Sequence, residues 1–217
     1  MSVPRAGVIH AYALLNDTVY HHYYFGDPTS FQNPRRAAYE AFDPRLHILN
    51  DIFAKAQSPK PDSKEFEAAV PWIFWMLGFA PAHVGGSRRM SDAADFLAST
   101  PNGHIAVAEC TTGLLKDDSK LQRLHDRTEA VRRNLESAST RHIRVLPVMI
   151  TAKTVDEIKP DLEQAEKLGV YVLARDAVER LLLSTHFPQN ADRLYEQAEQ
   201  TVASALAKCE THASSFG

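Results

Sequence analysis

The stretch DAADFLASTPNGHIAVAECTTG, residues 92–113, decides the fold. Its two mainly apolar runs, DFLAS and HIAVAE, are separated by a Thr-Pro-Asn-Gly loop, which predicts a β-hairpin with buried strands. Each run carries one acid at its end, because Asp95 opens the first and Glu109 closes the second. A carboxylate at the end of a buried strand is costly unless it is paired or binds a cation. We therefore expect a functional site at this end of the hairpin.

Helices are predicted on both sides of the hairpin. Upstream, apolar residues at three- and four-residue spacing predict a helix that begins at Ser63 and closes at Gly78. Downstream, the clearest helical pattern in the chain begins at Ser119, with apolar residues on one face and charged residues on the others.

Two further strands follow, separated by another helix. IRVLPVMIT (residues 143–151) and VYVLA (170–174) are typical of buried strands, with Pro147 expected at a sheet edge or a bulge. The order of elements predicts an α/β fold between residues 63 and 183, with a mixed central sheet flanked by helices.

A Pro-rich segment around Pro59 and Pro61 marks the best domain boundary. Residues 1–60 are predicted to form an N-terminal extension of strands or loops plus a helix, and residues 61–217 the core with a C-terminal helix. The extension carries an aromatic cluster that is interpreted first as a packing surface, and alternatively as the contact with a second copy in a homodimer or with a partner protein. Its members are Tyr20, Tyr23, Tyr24, Phe25 and Phe31.

Composition excludes several classes of protein. A net charge of −3 argues against coating of nucleic acid through bulk electrostatics, so any such contact must be local. No stretch approaches the roughly 20 apolar residues of a membrane span, which predicts no membrane contact and a cytoplasmic location. Two cysteines are too few for a disulfide framework or a Cys-based zinc site. Walker, dinucleotide-binding and GxSxG motifs are absent from the sequence.

The acidic residues of the first helix and the two strand ends occur in an order that is known from a nuclease superfamily. An acidic residue in a first helix, an Asp that opens a second strand and a Glu-x-Lys that ends a third are the pattern of the PD-(D/E)XK nuclease superfamily. The chain resembles this superfamily at Glu67, Asp95 and Glu109-Cys110-Thr111. The resemblance implies a restriction-endonuclease-like fold and a magnesium-dependent (or Mn²⁺-dependent) endonuclease that hydrolyses phosphodiester bonds in DNA, or alternatively RNA, within a restriction or defence system.

The resemblance also implies the roles of individual residues. Asp95 and Glu109 would hold Mg²⁺ (or Mn²⁺) together with the backbone carbonyl of Cys110, while Glu67 orients water or a second ion. The side chain of Cys110 is expected in the core, because neighbouring side chains of a strand point to opposite faces.

The chain departs from the family where the motif lysine should stand, because Thr111 occupies that position. A hydroxyl cannot supply the positive charge of a lysine, and Thr111 is expected either to contact phosphate or, as we favour, to cap the loop before Gly113. We hypothesise that Lys116 or Lys120 reaches back into the site. The alternative is a catalytically inactive fold that acts as a nucleic-acid-binding or protein-binding module.

Two groups of arginines are candidates for contact with the nucleic-acid backbone. Arg88 and Arg89 follow a Gly-Gly turn, and Arg123 and Arg127 lie on the helix that begins near Ser119. For the helical pair, an ordinary solvated helix face is the interpretation that we favour, because acidic residues are interleaved with them.

Overall fold

A computed structural model of the protein describes residues 8–15, 18–26, 32–85, 90, 92–115 and 119–214. A 3₁₀ turn at Pro44–Leu46 precedes the second helix. The remaining elements are, in chain order, β1 (Val8–Leu15), β2 (Thr18–Gly26), α1 (Pro34–Glu40), α2 (His47–Lys55), α3 (Ser63–Met76), β3 (Ala80–His83), β4 (Phe96–Ser99), β5 (Ile105–Thr111), α4 (Lys120–Ser137), β6 (Val145–Thr151), α5 (Val155–Lys167), β7 (Tyr171–Leu173), α6 (Arg175–Ser184) and α7 (Ala191–Ser214).

The central sheet has the strand order β3-β4-β5-β6-β7. Strand β4 runs antiparallel to both β3 and β5, whereas β5, β6 and β7 run parallel to one another. Helices lie on both faces of the sheet, as parallel strands require. The predicted mixed sheet flanked by helices is confirmed, and β1 and β2 form a separate antiparallel pair.

Alternating side chains of β5 divide the core into two parts. Ala106, Ala108 and Cys110 pack with residues of α2, α3, α6 and α7. Val107 points to the other face and packs with residues of α4 and α5. Because β5 is buried on both faces, its polar residues Glu109 and Thr111 lie near its C-terminal end, on the side where α4 follows.

Pro147 lies inside β6, between β5 and β7, so the expectation of an edge or bulge position is wrong. Ile105 N–H donates to the Arg144 carbonyl and Ala152 N–H donates to the Thr111 carbonyl, so even-numbered residues of β6 turn their backbone groups towards β5. The nitrogen of Pro147 therefore faces β7. Since β7 begins to pair only at Val148, the missing N–H interrupts no ladder bond.

Strand β3 was not anticipated, because APAH is short, contains a proline and lies largely exposed at the edge of the sheet. The predicted aromatic surface (Tyr20, Tyr23, Tyr24, Phe25 and Phe31) lies outside the side chains that the structure describes. Within the described part of the chain, no helix is both long and apolar enough to cross a membrane.

Asn33 joins three helices at the base of the core. Its side chain accepts from Arg35 N–H at 3.0 Å and so caps α1. The same side chain donates to the carbonyls of Met76 and Thr185, at 2.8 and 2.9 Å, which follow or end α3 and α6. With 2% of its surface exposed, Asn33 satisfies buried carbonyls that water cannot reach.

We expect Asn33→Ala to lower the free energy of unfolding by about 2–4 kcal/mol, because it removes a cap and leaves buried carbonyls without donors. Chemical denaturation of the full chain measures this change. The matched control is Asn190→Ala, because Asn190 is exposed and accepts only the N–H of Arg193 before α7 among its described side-chain contacts. That variant should lose about 1 kcal/mol. Equal losses in both variants would contradict the joining role of Asn33.

Candidate active site

The two strand-end acids lie opposite each other. The register of β4 and β5 pairs Phe96 with Ala108, so the next residues outward are Asp95 and Glu109. The backbone N–H of Cys110 donates to Asp95 Oδ2 at 2.7 Å, which anchors one carboxylate against β5. The side chains of Asp95 and Glu109 lie on the face of the sheet that α4 covers. The side chain of Cys110 is buried in the core on the opposite face, as predicted.

The two residues that follow β3 form hydrogen bonds with the backbone of Asp95. The N–H groups of Val84 and Gly85 both lie 3.3 Å from the Asp95 carbonyl to which they donate. A Cβ at Gly85 would come within 3.0 Å of the Ala94 carbonyl oxygen and 3.2 Å of Asp95 Cα. A glycine at position 85 therefore permits the close approach that holds Asp95 in place.

Helix α4 brings a lysine to the strand end. Lys120 Nζ donates to Thr111 Oγ1 at 2.9 Å. The same oxygen accepts the N–H of Gly113 at 3.1 Å, which is the loop cap expected for Thr111. The ammonium group of Lys120 thus lies beside Thr111, at the C-terminal end of β5.

An arginine of the same helix neutralises Glu109. The Arg127 guanidinium donates to Glu109 Oε1, and the two side chains are only 21% and 13% exposed. Arg127 is therefore not a solvated helix-face charge, which was the interpretation favoured from the sequence. Lys120, Arg123 and Arg127 are spaced so that they share one face of α4, and Arg123 is the exposed member.

Burial and mutual repulsion dominate the electrostatics of the acids. Burial, and after it the charge of Asp95, raise the pKa of Glu109 to about 7 against the opposing effects of Arg127 and Arg123. Burial likewise raises the pKa of Asp95, against the opposing effects of the Cys110 N–H and of nearby cations. The pKa of Glu67, on α3, is raised by burial and then by Asp95.

The donor atoms at this strand end suit a hard divalent cation. Magnesium is usually held by one or two carboxylates with water and a substrate phosphate, and a bound cation would offset the repulsion between Asp95 and Glu109. Because the N–H and C=O of one strand residue point to the same side, the Cys110 carbonyl turns towards β4, where Asp95 lies. Within the described residues, no three or more His, Cys, Asp or Glu side chains are grouped so that they could hold a metal ion.

The structure brings most of the predicted site residues to one place and leaves the others undescribed. The residues linked by hydrogen bonds or by charge at this strand end are Glu67, Asp95, Glu109, Cys110, Thr111, Lys120, Arg123 and Arg127. Lys116, Arg88 and Arg89 lie outside the described residues.

Two contributions to the site were missed in the sequence. His83, at the end of β3, lowers the pKa of Asp95 by its charge, and it was missed because β3 was missed. Arg127 was considered only as a contact for nucleic acid or as a solvated helix-face charge, although its spacing of seven residues from Lys120 was the available signal that both face the same strand end.

A scan against protein-family models finds no match to this chain, and a search of curated proteins also finds none.

We expect Asp95→Asn to lower the pKa of Glu109 from about 7, because it removes the repelling charge. Arg127→Ala should raise that pKa, because it removes the opposing cation. Carbon-13 NMR titration of the Glu109 carboxyl measures both shifts. A pKa that is unchanged in both variants would show that the three groups do not interact.

The same pKa predicts a dependence of stability on pH. The folded state binds the Glu109 proton more tightly than the unfolded state, so this residue's contribution to stability falls as the pH rises from the unfolded pKa to about 7. Glu109→Gln should flatten the stability profile in that range, as measured by urea unfolding. Glu136→Gln, on the exposed part of α4, is the control and should leave the profile unchanged.

Proposed function

We propose that the protein is a magnesium-dependent nuclease of restriction-endonuclease-like fold that hydrolyses phosphodiester bonds in DNA. The observation that carries the proposal is the contact of Lys120 Nζ with Thr111 Oγ1. This contact supplies a positive charge at the strand position where the superfamily has its lysine. Of the two lysines considered from the sequence, Lys120 is thus supported by geometry.

The carboxylates would hold the metal. Asp95 and Glu109, with the Cys110 carbonyl, offer the oxygen donors for a divalent cation, which would lower the pKa of water and offset charge on the phosphate. Asp95 is held in place by the Cys110 N–H at 2.7 Å. Glu67 carries a raised pKa and lies close enough to Asp95 to feel its charge, which suits a group that orients water or accepts its proton.

Lys120 is proposed to act on the phosphate. Its ammonium group has three donors, of which one is used by Thr111 Oγ1. The others can donate to a non-bridging phosphate oxygen, where negative charge develops during hydrolysis. Thr111 therefore serves to position Lys120, and its own anchor is the Gly113 N–H.

DNA contact is proposed on the face of α4 that carries Lys120, Arg123 and Arg127. A local cluster of this kind suits a chain whose net charge is −3, because phosphate contacts depend on nearby cations rather than on total charge. Arg123 is exposed and can reach a phosphate without breaking another described contact.

A second candidate function is a catalytically inactive module that binds nucleic acid or a protein. The contact between Arg127 and Glu109 favours it, because an internal cation already neutralises one of the two proposed metal ligands. The two candidates differ in whether cutting occurs, which a single set of variants can decide.

We expect the full chain to cut plasmid or single-stranded DNA with Mg²⁺ or Mn²⁺ and not with EDTA. Asp95→Asn and Glu109→Gln should abolish cutting, and Lys120→Ala should slow it by about 100-fold or more, because it removes a donor to the developing charge. Rates of substrate loss, with RNA tested in parallel, measure these effects.

The matched control is Lys159→Ala on the exposed side of α5, which should cut at the rate of the unaltered protein. Lys116→Ala is tested beside Lys120→Ala, and undiminished cutting by both would exclude a migrated lysine. DNA binding without cutting under any metal condition would support the inactive module instead.

We expect Arg123→Ala to weaken DNA binding and to reduce the dependence of log affinity on log salt by about one, the loss of one phosphate contact. Fluorescence anisotropy across a salt series measures both quantities. Arg133→Ala, at an exposed position ten residues further along α4, should leave the slope unchanged. An equal loss in both variants would argue against a defined DNA-binding face.

A further inference from the structure

The ion pair of Arg127 with Glu109 opposes the binding of a cation at the strand-end acids. The Arg127 guanidinium donates to Glu109 Oε1, and only 21% of the Arg127 side chain and 13% of the Glu109 side chain are exposed. Among the described residues, Arg127 donates a hydrogen bond to Glu109 alone. Each of these two mostly buried charges therefore depends on the other for its partner.

A divalent cation at Asp95 and Glu109 would meet this guanidinium at close range. The second carboxylate oxygen of Glu109, Oε2, accepts no hydrogen bond from a described residue and is the one open to a cation. A cation there would be separated from Arg127 by a single carboxylate group, and burial leaves little water to screen the two positive charges. In its present position, Arg127 therefore weakens the binding of a cation.

Arg127 has no internal way to relieve this repulsion. A guanidinium keeps its proton in proteins, so the charge can only move. Asp95 is another acid on which the charge of Arg127 acts, but it is itself a proposed ligand of the cation. Since a buried charge that loses its partner is strongly destabilised, Arg127 needs an anion from outside the chain.

Helix α4 places Arg127 where a phosphate can replace Glu109 as its partner. Arg123 lies one turn earlier on the same face and is exposed. A phosphate that binds Arg123 from solvent comes close to Arg127, whose planar fork suits two phosphate oxygens. A nucleic-acid backbone supplies phosphates in a continuous row along such a face.

We propose that Arg127 couples the binding of a divalent cation to the binding of nucleic acid. In the free protein, Arg127 holds Glu109 and keeps the affinity for the cation low. A backbone phosphate draws the guanidinium away from Glu109, and both acids then bind the cation tightly. This inference rests on the proposed function, because it takes Asp95 and Glu109 as the ligands and α4 as the nucleic-acid contact, but it does not require cutting.

Binding of Mn²⁺ to the full chain tests the coupling apart from activity. Free Mn²⁺ is measured by electron paramagnetic resonance during titration, at a pH well above the pKa of Glu109. The titration is made with and without a short DNA duplex, with DNA alone as the blank, and the DNA is verified to be intact afterwards. We expect DNA to raise the affinity of the unaltered protein for Mn²⁺ by about tenfold or more, and Mn²⁺ to raise its affinity for DNA by the same factor.

Variants of Arg127 separate its charge from its other properties. Arg127→Gln keeps a hydrogen-bond donor and removes the charge, so it should raise the affinity for Mn²⁺ without DNA by about tenfold and lose most of the further increase with DNA. Arg127→Lys keeps the charge and should retain the low affinity without DNA. Arg133→Ala, at an exposed position of the same helix, is the control and should change neither affinity.

The unaltered protein also reports the exchange directly. Nitrogen-15 NMR of the Arg127 guanidinium should show a saturable shift when DNA is added without metal, because the group changes its partner. A guanidinium signal that DNA leaves in place would overturn the exchange, even if no variant of Arg127 folds.

Asp95→Asn distinguishes failure of the coupling from failure of the proposed metal site. If this variant leaves Mn²⁺ binding unchanged, the metal site is wrong and the coupling falls with it. If Asp95→Asn weakens Mn²⁺ binding while Arg127→Gln binds Mn²⁺ no better than the unaltered protein, the metal site stands and the coupling through Arg127 is overturned. Coupled binding without any cutting would support the coupling in an inactive module.

Discussion

The burial of β5 on both faces is the constraint on which the rest of the structure depends. Its side chains alternate between two cores, with Ala106, Ala108 and Cys110 on one face and Val107 on the other. A charged side chain in the middle of this strand would lie in one core without water. A charged side chain is tolerated only near the end of the strand. Glu109 lies there, beside helix α4.

That same constraint explains the electrostatics of the strand end. Three carboxyl groups, on Glu67, Asp95 and Glu109, lie near cations that come from α4 and, for Asp95 and Glu67, also from His83 and Lys64. The cations do not restore ordinary pKa values, because burial has the largest effect on each acid. The site therefore holds more negative charge than its environment favours. A bound cation would offset this repulsion by favouring the charged form of the acids.

The sequence predicts the central elements well because their patterns arise from burial. An apolar run that ends in an acid predicted β5 and Glu109, and helical spacing predicted α4. Strand β3 was missed because an exposed edge strand has no apolar pattern to recognise. The position of Pro147 was mispredicted because a ladder bond depends on where the neighbouring strand begins, and β7 pairs only from Val148. The sequence around Pro147 does not show where β7 begins to pair with β6.

The strand-end acids and the apolar cavity beside α7 differ in how far a sequence can predict them. The strand-end acids are visible because a charged residue in an apolar run is chemically out of place. A cavity is a property of the space that side chains leave, and small residues such as Ala106 and Ala198 are equally compatible with close packing. Tyr195 is likewise an ordinary helical residue until its neighbours are known. Its ring contacts His104 and Arg144, which are distant in the chain, and its buried hydroxyl has no described hydrogen-bond partner.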